Sequence, residues 1–332
     1  MAYTLAQLAK LETDPTKKGI LTNILRDAKV MEFIPWENVS SLSSVAIRYR
    51  TLPTGGAFRK VNGSYTETTD GDVEQVWESV YGFGGEIKFD RVFDKITNTI
   101  VDPKVLQTQM KLKAMSLQFN DYFINGDHAT NADGFEGLKK RVAGMPARQS
   151  IAIGDSAPSD ATASAAAART FLKNWNKAYM RCNGGNVNAI FMNEAMTYAF
   201  SDVLLYLGSS GGSLLDVTKD SFDREIVTYK GAPFIDMGLK ADQSTEIITV
   251  TETALDAGAD STSVYFASFG IDQGITGIQL GPLEAYDPNQ GGEMSTQPAT
   301  QLRIDWWHGL AGFGSYGLTR LSNIGDPAAW TA

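Results

Sequence analysis

The chain has 332 residues, of which 43% are hydrophobic and 20% charged, so it is long enough to bury a core and too apolar to be disordered. One cysteine (Cys182) and two histidines (His128 and His308) exclude an internal disulfide framework and any cysteine- or histidine-rich metal centre. A formal net charge of −9 argues against a protein whose whole surface binds nucleic acid.

The charge is unevenly distributed along the chain. The first 60 residues contain nine basic and five acidic residues, which leaves a net charge of −13 on the remaining 272. This asymmetry predicts a basic leading arm that contacts an acidic body, its own or a neighbour's; solvated helix faces are the simpler alternative. No stretch approaches the roughly 18 uninterrupted apolar residues of a membrane-spanning helix, so no membrane partner is expected.

Residues 3–31 form the first predicted segment, which consists of one or two helices with a turn at Asp14-Pro15. Leucine and isoleucine recur there at helical spacing. The pattern ends before Pro35, because proline cannot continue a helix and restricts the residue before it. The segment offers few core positions and is therefore expected to be a tethered arm.

Residues 44–60 and 73–94 show the alternation of β-strands, and a polar stretch with turn signals at Asn62-Gly63 and Asp70-Gly71 separates them. Two arms of about 15 residues, at about 3.4 Å per residue, predict a ribbon roughly 50 Å long. A two-stranded ribbon is marginally stable alone. We therefore expect this hairpin to project from the body and to be stabilised by another molecule.

A long helix is predicted over 103–124, because Asp102 can cap it, Pro103 suits its first turn and apolar residues follow at helical spacing. It would be about 33 Å long and stop at the turn Asn125-Gly126-Asp127. Further helices are predicted over 163–181 and near 194–207. Strands are predicted at 189–192, 224–229, 233–237, 245–251, 263–268 and 275–280, with one or two more in the aromatic stretch 301–324.

Several motifs suggest chemistry but have simpler structural explanations. Gly312–Gly317 matches G-x-G-x-x-G, yet no helix follows it as a dinucleotide site requires. The 125–136 loop is rich in oxygen ligands but lacks the ligand spacing of a calcium loop. His308 and Cys182 are expected to be packed side chains. Two acidic residues distant in sequence can also form a catalytic pair, so a soluble hydrolase stays the alternative from another functional class.

Six short motifs follow one another in a characteristic order. They are FRKVNGSYTE at 58–67, YFINGD at 122–127, FEGL at 135–138, AIFMN at 189–193, YKGAPFID at 229–236 and RIDWWHGLA at 303–311. Together they resemble the major capsid proteins of tailed bacteriophages, which have the Hong Kong 97-like fold. The resemblance covers nearly the whole chain, and its specific part is the order of the motifs.

The resemblance implies an α+β fold with an N-terminal arm (1–45), an extended loop formed by a long β-hairpin (46–95), a peripheral domain with a long spine helix (96–160 and 283–325) and an α/β axial domain (161–282). It implies a structural protein, not an enzyme, that self-assembles as pentamers and hexamers into an icosahedral shell around double-stranded DNA. No cofactor or metal is implied. An encapsulin-like nanocompartment shell that packages enzyme cargo is the alternative within the same fold.

The resemblance also implies partners and contact residues. The expected partners are other copies of the chain, a separate scaffolding protein, a portal at one vertex, a decoration protein, and DNA bound without sequence-specific contact. The expected location is the virion capsid, assembled in the host bacterial cytoplasm. No covalent crosslink through Lys60 is expected, because no motif identifies an acceptor. The residues expected at contacts between subunits are Arg59, Lys60, Tyr65, Glu67, Trp77, Lys17, Lys18 and Arg26.

Overall fold

Two β-sheets, a long helix that packs against both, and a separate two-stranded hairpin organise the chain. The structure, a computed structural model, describes residues 3–4, 29–51, 58–65, 72–92, 103–156, 165–207, 215–219, 225–253, 260–271, 274–289, 292, 294, 297–312 and 314–325. The α-helices within these residues are α1 (Lys29–Phe33), α2 (Pro103–Asn125), α3 (Leu138–Ala143), α4 (Ala165–Arg181) and α5 (Glu194–Tyr206). Short 3-10 helices span Ala147–Gln149 and Asn183–Gly185.

The strands are short except at the centre of the first sheet. They are β1 (Tyr3–Thr4), β2 (Pro35–Asn38), β3 (Ser43–Thr51), β4 (Asp72–Ser79), β5 (Tyr81–Asp90), β6 (Ser150–Ser156), β7 (Ala189–Met192), β8 (Leu215–Lys219), β9 (Glu225–Tyr229), β10 (Ala232–Asp236), β11 (Glu252–Thr253), β12 (Asp260–Ala267), β13 (Ile275–Gln279), β14 (Glu284–Tyr286), β15 (Ala299–Gly312) and β16 (Leu318–Gly325).

The first sheet has six strands in the order β1-β2-β13-β15-β14, and β5 pairs with β15. The 14-residue strand β15 is its centre, since β5 lies along one edge of β15 while β13 and β14 lie along the other. The face toward α2 carries a cluster of large aromatic rings. Trp36 and Trp306 lie 4.6 Å apart between ring centroids, and Phe119 of α2 packs against both.

The second sheet has eight strands in the order β6-β16-β12-β7-β10-β9-β8, and β11 pairs with β12. It is buried on both faces at β7, whose four residues are all buried. Alternate side chains of β7 pack in different cores, because successive strand residues point to opposite faces. Ile190 packs in the core with α4 and α5, where Trp175 stacks on Phe200 at 4.1 Å. Phe191 points to the other face and meets Phe123 of α2 at 5.2 Å.

The hairpin differs from its prediction. Residues 73–94 do not form one arm: β4 pairs with β3, whereas β5 leaves the hairpin and pairs with β15. The paired ribbon therefore spans nine residues of β3 and eight of β4, about 30 Å and not 50 Å. Alternation indicates which face a side chain occupies but not which strand lies beside it. Gly84 leaves room for β15, since an added Cβ there would clash with the backbone carbonyl oxygen of Ile304.

The predicted strand at 245–251 is also absent. The region forms a single bridge between Leu239 and Glu246 and otherwise runs as a loop. Its consecutive residues Ile247 and Ile248 are both buried, which mimics a strand in the sequence. The loop is fixed by Asn125 at the end of α2, whose side-chain Nδ2 donates to the Ile247 carbonyl at 2.8 Å.

The two sheets do not follow the predicted domain bounds. Strands β6 and β16 fall within the ranges expected to form the peripheral domain, but both pair in the eight-stranded sheet. Strand β13 falls within the range expected for the axial domain, yet it pairs with β2 and β15 in the six-stranded sheet. The division into domains stays a prediction. Strands from the ranges predicted as one domain pair in both sheets. None of the helices in the described ranges is long and apolar enough to cross a membrane.

We expect Gly277→Ala to lower the free energy of unfolding by about 1–3 kcal/mol, because an added Cβ would overlap the Trp36 ring where β2 pairs with β13. Gly281→Ala is the matched control, since open space surrounds that position. Urea denaturation followed by circular dichroism measures both. Equal stability of the two variants would contradict the close packing at this point.

Candidate assembly surfaces

The hairpin formed by β3 and β4 presents one tryptophan to solvent. Trp77 lies opposite Val45 in the ladder and is 65% exposed. Its neighbour Glu78 points to the opposite face and is buried. A large exposed aromatic side chain on a two-stranded ribbon is a feature of contact surfaces, where tryptophan and tyrosine are enriched.

A buried ion pair fixes the root of this hairpin. Arg141 of α3 donates from Nη1 to Glu78 Oε1 at 2.6 Å and from Nη2 to Glu78 Oε2 at 2.9 Å, which is bidentate geometry. The side chains of Arg141 and Glu78 are only 3% and 9% exposed. Desolvating two charges is costly unless their remaining hydrogen-bonding groups also find partners.

The surrounding backbone supplies those partners. Arg141 also donates from Nε to the Glu136 carbonyl and from Nη2 to the Leu310 carbonyl, at 2.8 and 2.7 Å. The Gly312 amide donates to Glu78 Oε1 at 3.2 Å. The pair therefore joins β4, α3 and β15 at one point. The sequence carried a signal for it, because Glu78 alternates with Val76 and Val80 on an apolar face, where a carboxylate needs a buried partner.

The described part of the hairpin tip, residues 58–65, forms a compact turn. The Gly63 amide donates to the Lys60 carbonyl at 3.0 Å, and Asn62 between them has a φ of 64°. Arg59 braces this turn: its Nη1 donates to the Gly63 carbonyl at 3.2 Å, and its guanidinium lies 5.0 Å from the centre of the Tyr65 ring. Phe58 and Val61 are essentially fully exposed. The tip thus presents apolar and cationic side chains outward.

The structure brings some of the predicted contact residues together. Arg59 and Tyr65 are in contact at the tip, and Lys60 lies beside them with an exposed side chain. Trp77 lies on strand β4 and is not part of that turn. The remaining predicted residues lie outside the described part of the chain; they are Glu67, Lys17, Lys18 and Arg26.

Two further surfaces expose apolar side chains on helices. They lie in the first half of the spine helix α2 and along one face of α5. The exposed residues are Val105, Leu106 and Met110 on α2, and Tyr198, Leu205 and Tyr206 on α5. No pattern in the sequence distinguishes them, because their spacing also fits the buried faces of the same helices.

The residues with potential for chemistry occupy structural positions. His308 is 1% exposed and stacks on Trp306 at 4.0 Å, and burial lowers its pKa to about 3. Cys182 is fully buried, and burial raises the pKa of its thiol to about 12. Both groups are neutral near pH 7. The G-x-G-x-x-G stretch leads from β15 into the strand β16, in the place where a dinucleotide site needs a helix.

In the loop after α2, side-chain oxygen atoms accept hydrogen bonds from backbone amides and so stabilise turns. Asp127 Oδ1 accepts from the Ala129 amide, which lowers the pKa of Asp127, and Asn131 Oδ1 accepts from the Asp133 amide. Across the described ranges, no group of three or more His, Cys, Asp or Glu side chains is placed to hold a metal ion. The loop geometry therefore accounts for the residues that suggested a calcium site.

Comparison with known proteins relates the chain to shell-forming structures. No protein-family model matches the sequence, and no curated protein matches it significantly. Among solved structures, the SrpI encapsulin complex from Synechococcus elongatus PCC 7942 matches 88% of this chain and 85% of its own, at 12% identity and a TM-score of 0.54. The capsid of the native GTA particle matches 91% of this chain and 90% of its own, at 13% identity and a TM-score of 0.52. A structure of Mycobacterium phage Cain matches 98% of each chain, at 12% identity and a TM-score of 0.52.

The chain has the Hong Kong 97-like fold. The α+β class predicted from the sequence is thereby confirmed. In this fold β3 and β4 form the extended loop and α2 forms the spine helix, so the Arg141–Glu78 pair lies where the extended loop joins the body. At these identities the likeness concerns the fold alone.

We expect single removal of either partner of the buried pair, Glu78→Leu or Arg141→Leu, to destabilise the folded chain by about 3–5 kcal/mol, because each leaves an uncompensated buried charge. The double variant should lose clearly less than the two losses added together. Lys88→Ala is the control, since Lys88 lies in a half-exposed pair with Glu86 and should change stability by less than about 1 kcal/mol. Additive losses in the urea-denaturation cycle would show that the two side chains are not coupled.

We expect His308 to make the fold sensitive to acid. Its folded pKa is lowered to about 3 from an ordinary value near 6.5, so the unfolded chain takes up a proton that the folded chain excludes. The contribution of His308 to the free energy of unfolding is therefore complete above about pH 6.5. It falls by about 1.4 kcal/mol per pH unit as the pH decreases from there toward 3. Denaturation between pH 7 and 4 should show a shallower slope for His308→Leu.

His128→Gln is the matched control for that experiment. His128 is the chain's other histidine and is exposed, with its Nδ1 3.4 Å from the Tyr81 hydroxyl. Its variant should follow the wild-type slope. A wild-type slope in His308→Leu as well would mean that His308 does not contribute to acid sensitivity.

Proposed function

We propose that this chain is a major capsid protein that self-assembles as pentamers and hexamers into an icosahedral shell enclosing double-stranded DNA. The observation that carries the proposal is a rigidly anchored hairpin, on a fold shared with solved capsids, whose tip exposes Phe58 and Val61 completely. Side chains of this kind are unfavourable in water and call for a partner surface. Many copies of one chain in a closed symmetric shell supply that partner repeatedly.

The remaining contacts follow from the same proposal. The hairpin residues Arg59, Lys60, Tyr65, Glu67 and Trp77 act between subunits, and the basic arm with Lys17, Lys18 and Arg26 contacts an acidic neighbour, scaffold or DNA. The partners are a separate scaffolding protein, a portal at one vertex, a decoration protein and packaged DNA without sequence-specific contact. The shell is assembled in the host bacterial cytoplasm and becomes the virion capsid.

A second candidate function is an encapsulin-like compartment that packages enzyme cargo. Its support is the structural likeness to the SrpI encapsulin complex, which extends over 88% of this chain. Particle contents distinguish the two functions. Nuclease-protected double-stranded DNA in purified particles supports the capsid, whereas a stoichiometric protein cargo without DNA supports the compartment.

Size-exclusion chromatography and negative-stain microscopy of the purified chain test the shell itself. We expect rings or closed shells, and a stable monomer of about 36 kDa under all concentrations and ionic strengths would contradict both candidates.

We further expect Phe58→Ser combined with Val61→Ser to reduce the yield of closed particles strongly. The melting temperature of the unassembled subunit should stay within about 2 °C, because both side chains are solvated there. Particles at wild-type yield would show that the tip is not a contact.

A further inference from the structure

Helix α4 carries a row of basic side chains on the face opposite its core contacts. The residues that it buries are Ala168, Phe171, Trp175, Ala178 and Tyr179. The basic residues recur at intervals of four along the other face, and they are Arg169, Lys173, Lys177 and Arg181. Side chains at this interval lie one above the other on a helix. The row is about 18 Å long at about 1.5 Å per residue, and all of it is exposed except the half-buried Arg181.

No acidic residue offsets this charge within the helix. α4 contains no Asp or Glu, although acidic residues outnumber basic ones by 38 to 29 in the whole chain. None of the four basic side chains forms an ion pair with the part of the chain that the structure describes. Like charges at intervals of four destabilise a helix. The row is therefore unfavourable in the isolated subunit, and a bound polyanion would remove the repulsion.

Two neighbouring elements add cations beside the row. Arg148 lies at the C-terminal end of α4, where Arg181 Nη1 donates to the Arg148 carbonyl oxygen at 2.7 Å. Lys230, in the turn between β9 and β10, donates to Asn176 Oδ1 of α4 at 2.7 Å. Both side chains are exposed, and neither forms an ion pair with a described residue. These residues form one basic surface, the α4 patch, which consists of Arg148, Arg169, Lys173, Lys177, Arg181 and Lys230.

The composition of the patch fits a phosphate backbone. Lysine is depleted in protein–protein interfaces, whose centres are rich in aromatic residues, whereas Met180 is the one large apolar side chain that α4, described along its whole length, exposes. Single-stranded nucleic acids stack on aromatic side chains, but Phe171, Trp175 and Tyr179 of α4 are buried. Duplex DNA carries a phosphate about every 1.7 Å along its axis, so a straight row of cations meets several phosphates without contacting a base.

We infer that the α4 patch binds the phosphate backbone of double-stranded DNA without reading its sequence. The inference rests on the proposed function, because a shell that encloses DNA supplies this ligand. It adds a contact from the folded body to the one proposed for the N-terminal arm. It also agrees with the acidic net charge of the chain, since binding is confined to one patch.

Fluorescence anisotropy of a short labelled duplex of random sequence tests the contact in purified full-length subunits. Four phosphate contacts predict that the logarithm of the binding constant falls against the logarithm of the salt concentration with a slope of about −3.6. The triple variant Arg169→Gln, Lys173→Gln, Lys177→Gln should bind more weakly, and its slope should be smaller in magnitude by about 2.7. A triple variant that keeps the wild-type affinity and slope would overturn the inference.

The matched control removes the same charge from other elements. Lys88, Lys140 and Lys240 each lie in a surface ion pair with a carboxylate, at 3.3 or 3.4 Å. Their combined replacement by Gln should leave the slope close to that of wild type, and an equal loss in both triple variants would overturn the assignment to α4. The α4 variant should unfold at no lower urea concentration than wild type, because its substitutions remove like-charge repulsion. Its loss of binding then does not come from unfolding.

Polyglutamate distinguishes DNA from an acidic protein partner. Unlabelled duplex should displace the labelled duplex at a lower concentration of negative charge than polyglutamate does, because its phosphates are closely and regularly spaced. Equal displacement by the two would show that the patch suits an acidic protein surface as well, and would overturn the assignment to DNA.

Lysine modification in assembled particles separates this inference from the proposed function. Acetic anhydride should modify Lys173 and Lys177 more slowly in particles that contain DNA than in particles emptied of it, whereas Lys88 should react equally in both. Equal reaction of Lys173 and Lys177 would overturn the DNA contact and leave the shell intact. A chain that never assembles contradicts the proposed function, and the binding measurement on subunits still decides whether the α4 patch binds DNA.

Discussion

The buried pair between Arg141 and Glu78 determines how the extended loop leaves the body. It brings a charge from α3 and a charge from β4 to the same point beside β15, and backbone groups of Glu136, Leu310 and Gly312 complete the hydrogen bonding. An ion pair at this depth contributes little net stability compared with apolar packing, but it tolerates few other arrangements. Its structural consequence is orientation: with Glu78 held inward, alternation along β4 places Trp77 outward.

The spine helix α2 transmits this fixed geometry to the rest of the subunit. Its second half is embedded between the two layers, since Phe119 packs on Trp36 and Trp306 of one sheet while Phe123 meets Phe191 of the other. Its first half is mostly exposed. The subunit therefore combines a core shared by both sheets with apolar residues at the hairpin tip, the start of α2 and the outer face of α5. These three sets of exposed apolar side chains belong to separate elements of the fold.

The sequence was informative where local chemistry decides the structure. The helix α2 begins at Pro103 and ends at Asn125, and β7 spans Ala189–Met192, because a proline, a turn motif and a continuous apolar run mark those boundaries. Strand partners were less predictable, as β5 shows: its alternation continues that of β4 although it pairs in another sheet. The root of the hairpin could have been found from Glu78 on an apolar face, but its partner is 63 residues away and leaves no local signal.

His308 makes the packing between β15 and α2 sensitive to acid. Phe83 and Phe135 pack edge-on against the imidazole and help to exclude water from it. A protonated imidazole at that position would lose its solvation in the core, which is unfavourable for a charge. Acid would therefore weaken the packing of β15 against α2. One buried ring thus makes the core between the six-stranded sheet and α2 dependent on pH.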